Sequence, residues 1–319
     1  MFKWWSRKVT PVFLWLSLML FTSPVYAAAE SAAAAGGGGD WPWWFWPLVL
    51  FVFCFVLGIL AVLAGVGGGV LYVPLVSAFF PFHLDFVRGA GLFVALAGAL
   101  MAGPGLLRRG LASLRLALPV ALIASTFAII GAFIGLSLPT TIVQILLGAT
   151  IIFIAVLLLV SKNVEYPVVT KQDAIGLALG MHGSYIEETT GKVYEYKTHR
   201  TWAGLLIFVL IGLVAGMFGL GAGWANIPVL NLMMGAPLKI SVATSKFLLS
   251  ITDTSAAWVY LNKGGIIPLV AIPSIVGLML GSLVGVKILA RAKPAAIRYI
   301  VIAVLLFAGV RALLKGLGI

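Results

Sequence analysis

Charge is what this sequence has least of. Only 9% of its residues are Asp, Glu, Lys or Arg, and 62% are apolar, where a soluble domain carries about 25% charged residues. A mean hydropathy of +1.15 excludes a water-covered surface, so this is an integral membrane protein. Acidic residues are scarcer than basic ones, nine against 21. The net charge of +12 would suggest nucleic acid in a soluble protein, but here Lys and Arg gather at the ends of apolar runs, where the positive-inside rule explains them, and nucleic acid is not expected as a partner. Cysteine occurs once, as Cys54 within an apolar run, which excludes an internal disulfide and a thiolate metal cluster. The three histidines, His83, His182 and His199, lack metal-ligand spacing, and no HExxH, GxSxG or SxxK string occurs. The string GGGD, Gly37 to Asp40, precedes the spans and brings no second carboxylate into the membrane, so it is not a protease dyad. An enzyme is not supported, and no catalytic residue, metal or cofactor is expected.

Long apolar runs are what the chain has most of. Several are about 20 residues, enough for a hydrocarbon core of about 30 Å, whereas barrel strands would be short and alternating. The expected class is an all-α polytopic membrane protein, with the lipid bilayer as its first partner. Lys3, Arg7 and Lys8 before VFLWLSLMLF, and PVYA before Ala28, read as a signal peptide over residues 1–27. An uncleaved first helix is the alternative. Residues 28–40 form a low-complexity extracytoplasmic linker, and WPWWFWP, Trp41 to Pro47, suits an interfacial aromatic belt with the mature N-terminus outside.

The chain also repeats itself. Gly65, Gly67, Gly69 and Pro74 recur as Gly219, Gly221, Gly223 and Pro228, and Gly110, Pro119 and Gly131 as Gly264, Pro273 and Gly285, at one offset of 154 residues (219 minus 65). The halves are residues 41–160 and 201–319, each a long helix, a glycine break, a shorter apolar piece and three more spans. Basic residues fall at non-equivalent loops: Arg108, Arg109 and Arg115 in the first half, Lys287, Arg291, Lys293 and Arg298 one loop later in the second. If basic loops are cytoplasmic, the halves have inverted topology with an odd number of crossings each. Arg311 and Lys315 would then face outside, against the rule. The polar segment 161–200 would be cytoplasmic, with a β-hairpin around Thr190-Gly191 and a surface-lying AIGLALG. It reads as a gate or partner contact, or as a linker that lets the halves invert.

The paired strings GVGGGVLYVP and GLGAGWANIP, with ATSKFLLS after the second, resemble the TauE/SafE family of sulfite and organosulfonate exporters over nearly all of residues 50–315. HGSYIEETTGKVYEYKTHR is similar to a central insert of some members. The resemblance implies secondary transport of small sulfur-containing anions across the cytoplasmic membrane. The residue pattern alone implies a transporter-like bundle of two inverted repeats.

Glycines let a helix stop inside the membrane where the bare backbone lines a cavity. Gly65, Gly67, Gly68 and Gly69, with Gly219, Gly221 and Gly223, are therefore candidate substrate-binding residues, the half-helix after each break offering free N–H groups to an anion. Asn226, Thr244 and Ser245, within the matched strings, join them. Close helix packing through small residues is the competing explanation. Lys246, Ser250 and Asp253 share one helical face, where a central charge costs about 2.5 to 3.5 kcal/mol on insertion scales. Lys246 would hold an anion and Asp253 carry a coupling proton, or the two form a structural ion pair. Arg88, one turn before the position equivalent to Lys246, would approach the same site from the other half, or snorkel from a span end. The expected function is alternating-access export of sulfite or an organosulfonate, multi-pass in the inner (cytoplasmic) membrane. An anion channel and a non-transporting scaffold are the alternatives, and a homodimer is left open.

Overall fold

The computed structural model describes residues 44–64, 67–108, 112–161, 167, 169, 171–186, 193–289 and 294–318. The signal peptide, the linker, Gly65 and the Thr190-Gly191 turn lie outside the described residues. The chain divides into units Met1–Phe45 and Trp46–Ile319; the second carries everything that follows.

The helices are α1 (Phe45–Ala64), α2 (Gly68–Phe79), α3 (Leu84–Arg108), α4 (Leu114–Ser137), α5 (Thr140–Val160), the short α6 (Ala174–Ala178), α7 (Thr201–Phe218), α8 (Gly223–Pro228) continuing into a π-helical turn (Val229–Met233), α9 (Leu238–Asn262), α10 (Pro268–Leu289) and α11 (Pro294–Leu317). Between α6 and α7, β1 (His182–Ile186) pairs antiparallel with β2 (Val193–Lys197). Six helices among the described residues are long and apolar enough to cross a membrane. Their outward chains, such as Leu122, Phe153 and Trp202, are exposed apolar groups, while Ala117, Ala124, Ala128 and Ala132 fill the interior. A bundle apolar on its outside and small-residued within suits lipid rather than water.

The 154-residue offset is structural as well as sequential. Added to the bounds of α3 it gives those of α9, and it carries Leu114 and Thr140, which begin α4 and α5, onto Pro268 and Pro294, which begin α10 and α11. Glycines set how these helices meet, because absent Cβ atoms let backbones touch. On α4 and α7, Gly131 lies against Leu213, Gly135 against Met217, Gly212 against Ala124 and Gly216 against Ala128, a parallel register. On α1 and α10, Gly277 lies against Phe51, Gly281 against Phe55 and Gly285 against Ile59, again parallel. Each half thus lends one long helix to the other. Equivalent helices instead pass antiparallel: Gly148 of α5 meets Gly309 and Leu313 of α11, whereas the later Gly316 meets the earlier Ile145. On α3 and α9, Leu92 packs with Ala256 and Tyr260, while Ala95 and the earlier Asp253 meet over Gly221.

The β-hairpin and its flanks sit at one end of this bundle. Thr201 N donates to Asp173 Oδ2 at 2.9 Å, which supplies an acceptor at the start of α7. His199 N donates to Met234 O at 3.1 Å, and Ser113 N to Thr244 Oγ1 at 3.1 Å. Burial pushes the Tyr196 phenol above its ordinary pKa, while its hydrogen bond with Ser113 and the charge of Arg115 pull it down. At the opposite end Lys315 Nζ donates to Ser77 O at 3.2 Å, and the Arg311 guanidinium lies 4.8 Å from the Phe79 ring centroid. These two bases serve the C-terminal pole of α2, where a cation is favoured.

Candidate functional site where the glycine breaks cross

Helix α1 ends at Ala64 and α2 starts at Gly68; α7 ends at Phe218 and α8 starts at Gly223. The two interruptions touch, with a Cβ on Gly67 placed 4.0 Å from Gly223 Cα and one on Gly223 placed 3.8 Å from Gly67 Cα. Gly69 lies under the carbonyl of Leu220 and beside Ala95, and Gly68 against Leu278. The second break turns through left-handed backbone, with φ +68° at Gly219 and +69° at Gly221. That geometry suits glycine because an L side chain there is strained.

Asp253 reaches this crossing. It is 0% exposed, and its Oδ2 lies 3.0 Å from where a Cβ on Gly221 would stand, without a hydrogen-bond partner among the described residues. Its other oxygen is 3.5 Å from Thr252 Oγ1, which donates mainly to Leu248 O at 2.9 Å. A buried polar group left unpaired is costly, so an open carboxyl oxygen at a break in two helices is a place where a proton or a hydrogen-bond donor gains most. Lys246 lies two helical turns away on the same face, about 10 Å along the axis. The ion pairs among the described residues are His83 with Asp85 and Arg88 with Asp85, so Lys246 and Asp253 do not form a contact pair. Ser250 Oγ donates to Phe247 O at 2.7 Å, within its own helix. Thr244 is occupied by the Ser113 amide, next to the buried Ser245. Asn226, 1% exposed, has neither amide atom partnered among the described residues, and neither has Trp224 Nε1.

Arg88 goes elsewhere. It is 1% exposed and therefore does not snorkel. Its Nη2 pairs with Asp85, and its Nη1 donates to Met217 O at 2.8 Å and Gly135 O at 3.0 Å. Because α3 and α9 run antiparallel, Arg88 and Lys246 lie on opposite sides of the crossing, each about two turns from it, and do not converge as the sequence offset suggests. Tyr260, Ala95, Leu220 and Leu249 also border the breaks. Leu220 lies in the break itself, whereas Tyr260, Ala95 and Leu249 escape the sequence pattern because only the antiparallel register brings α3 and α9 residues to the glycines. The unpaired Asp253 was legible as a charge in an apolar span.

The chain matches the family model described as "Sulfite exporter TauE/SafE" over residues 50–312. Among curated proteins it is similar to "Probable membrane transporter protein YunE" of Bacillus subtilis, 25% identical over 131 residues, 41% of this chain and 48% of that one. It is also similar to "Probable membrane transporter protein MJ0441" of Methanocaldococcus jannaschii, 23% identical over 274 residues, 81% of this chain and 92% of the relative. The chain thus spans about half the length of the first relative and nearly all of the second. No solved structure matches it.

Proposed function

From its place in the TauE/SafE sulfite exporter family, to which this multi-pass membrane transporter belongs, we propose that the chain exports a small sulfur-containing anion, sulfite or an organosulfonate, across the cytoplasmic membrane by alternating access. The observation that carries this reading is the contact of the two glycine breaks, Gly67 against Gly223, beside the open oxygen of Asp253. Backbone interrupted at membrane depth is tolerated where it lines a water-filled or ligand-filled cavity, and the α2 N-terminus offers free N–H groups to an anion there. Lys246 supplies attraction for the anion on one side, and Asp253 takes up the coupling proton. The curated relatives' names, which say membrane transporter, support flux over a scaffold role.

Counterflow in proteoliposomes tests the substrate. Vesicles preloaded with unlabelled sulfite, thiosulfate, taurine, sulfoacetate or a simple carboxylate should accumulate labelled sulfite or sulfonate only in response to sulfur anions. Equal uptake with every anion, without saturation, would instead describe a channel.

The antiparallel passage of equivalent helices supports opposite insertion of the halves. With Cys54 replaced, a cysteine at Ser113 or at Ala292, between α10 and α11, should react with an impermeant thiol reagent only from the cytoplasm. One at Thr140 should react only from outside. Labelling of Ser113 and Ala292 positions from opposite faces would sink the inverted arrangement.

A further inference from the structure

Helix α7 stops at Phe218; Ala215 O accepts from Gly219 N, and the carbonyls that follow it have no continuing helix to bond. Two of them are taken by side chains from other helices. The Tyr260 hydroxyl lies 3.1 Å from both Gly216 O and Met217 O and shares its proton between them. Arg88 donates to Met217 O and to Gly135 O of α4, and its guanidinium stands 5.8 Å from the Tyr260 ring centroid. A cation at a helix C-terminal pole is further favoured by the dipole. Along the same face of α3, Gly91 packs under the carbonyl of Gly219 and Ala95 beside Gly221. One stripe of α3 therefore lies along the whole second break, with Arg88 fastening its end.

The cluster ties together four helices, and it has no counterpart in the repeat. Shifting by 154 residues puts Val242 at the position of Arg88 (242 minus 88) and Leu106 at that of Tyr260 (260 minus 106), and neither can donate a side-chain hydrogen bond. If the two halves rock against each other, the side of the crossing that holds Arg88 must break its bond to Met217 O, and the equivalent positions Val242 and Leu106 offer no matching donor.

We infer that Arg88 and Tyr260 are positioning residues that hold the broken end of α7 and keep the pathway shut on the face of the Ser137–Thr140 and Lys263–Ile267 loops. They touch no substrate. Their release is the added cost of opening on that face, since the buried Arg88 guanidinium keeps Asp85 on its own helix but loses the Met217 carbonyl of the other half, and a buried donor without its acceptor is costly. The asymmetry biases the resting transporter toward the conformation closed there, and the clamp sets turnover rather than affinity. The inference rests on the alternating-access reading, so its test needs a readout that does not depend on substrate.

That readout is a cysteine at Ala95, beside Gly221, in a Cys54→Ala background, labelled by an impermeant thiol reagent from either face. Tyr260→Phe is the mild variant, removing one hydroxyl while keeping the ring against Arg88; Arg88→Gln removes the clamp. In Tyr260→Phe, labelling from the Ser137–Thr140 face should rise on the order of fivefold, the scale of one neutral hydrogen bond, with labelling from the other face unchanged or lower. Where flux is measured, maximal exchange should change while the half-saturating concentration stays put, and Arg88→Lys should partly restore the wild-type pattern. Unchanged labelling in folded Tyr260→Phe overturns the inference, as does equal gain from both faces, which describes general loosening. A raised half-saturating concentration with unchanged labelling also overturns it and returns Arg88 to the substrate. If Arg88→Gln does not fold, Tyr260→Phe alone decides. If no anion is transported, the labelling result still stands or falls by itself.

Discussion

Gly221→Ala is expected to damage the fold, whereas Gly67→Ala is expected to leave it intact and stop transport. At Gly221 the backbone has φ +69°, and a Cβ would stand 2.9 Å from Ala95 Cβ and 3.0 Å from Asp253 Oδ2. Left-handed backbone alone costs an alanine about 1 to 2 kcal/mol, and the crowding adds to it because Ala95 is held by helix α3. Thermal unfolding in detergent should show a clear drop in Tm for Gly221→Ala and poor recovery for Gly221→Val. Gly67 is different: its φ of −65° and ψ of 143° suit any residue, and among the described residues, its chain neighbours aside, the one atom within 4 Å of its Cβ position is Gly223 Cα at 4.0 Å. Gly67→Ala should therefore express and melt like the wild type. Its methyl nevertheless enters the space between the two breaks, and counterflow should fall by about tenfold or more, with Gly67→Val lower still. Wild-type exchange by a stable Gly67→Val would mean that the glycines serve helix packing and that the anion passes elsewhere.

Lys246 and Asp253 should separate affinity from coupling. Lys246→Gln is expected to raise the half-saturating concentration about tenfold or more, because a charged hydrogen bond is worth about 1.5 to 3 kcal/mol. Asp253→Asn should keep binding and exchange but lose net flux driven by a proton gradient, since Asn preserves shape and cannot titrate. The two residues form no contact ion pair among the described residues, so what couples them is charge at a distance rather than a hydrogen bond. The double variant should show both defects together. The measurement is substrate binding, exchange and gradient-driven flux on all three proteins. Full recovery in the double variant would reveal a purely structural pair and remove both residues from the transport site.

Helix breaks were legible because glycines cluster there: the closely spaced glycines around Gly67 and Gly221 lower the cost of leaving the helix, where single glycines inside other spans do not. The charge of Asp253 was legible for a similar reason, since a carboxylate in an apolar run is costly wherever the run is placed. Arg88 was misplaced by the same kind of reasoning. Its position in the repeat suggested convergence with Lys246, but repeat offset says nothing about the direction in which two helices pass. Tyr260 carried no signal, because an aromatic near a span end reads as an interfacial anchor. Only its placement over Arg88 and the α7 carbonyls reveals what it binds.

Hydropathy, glycine spacing and the 154-residue offset thus determined from sequence alone that this is a helical membrane bundle with two broken helices, because these are properties of short windows and of comparison along the chain. The tertiary structure decided which backbones touch and which charges are satisfied. Gly67 meets Gly223, Asp253 Oδ2 is left open at their crossing, and Arg88 gives both terminal nitrogens to three partners while its Nε has none among the described residues. These outcomes depend on helix direction and register: Gly67 with Gly223 and Arg88 with Met217 join positions more than a hundred residues apart, and although the Asp85–Arg88 pair is local, no local pattern encodes the rest.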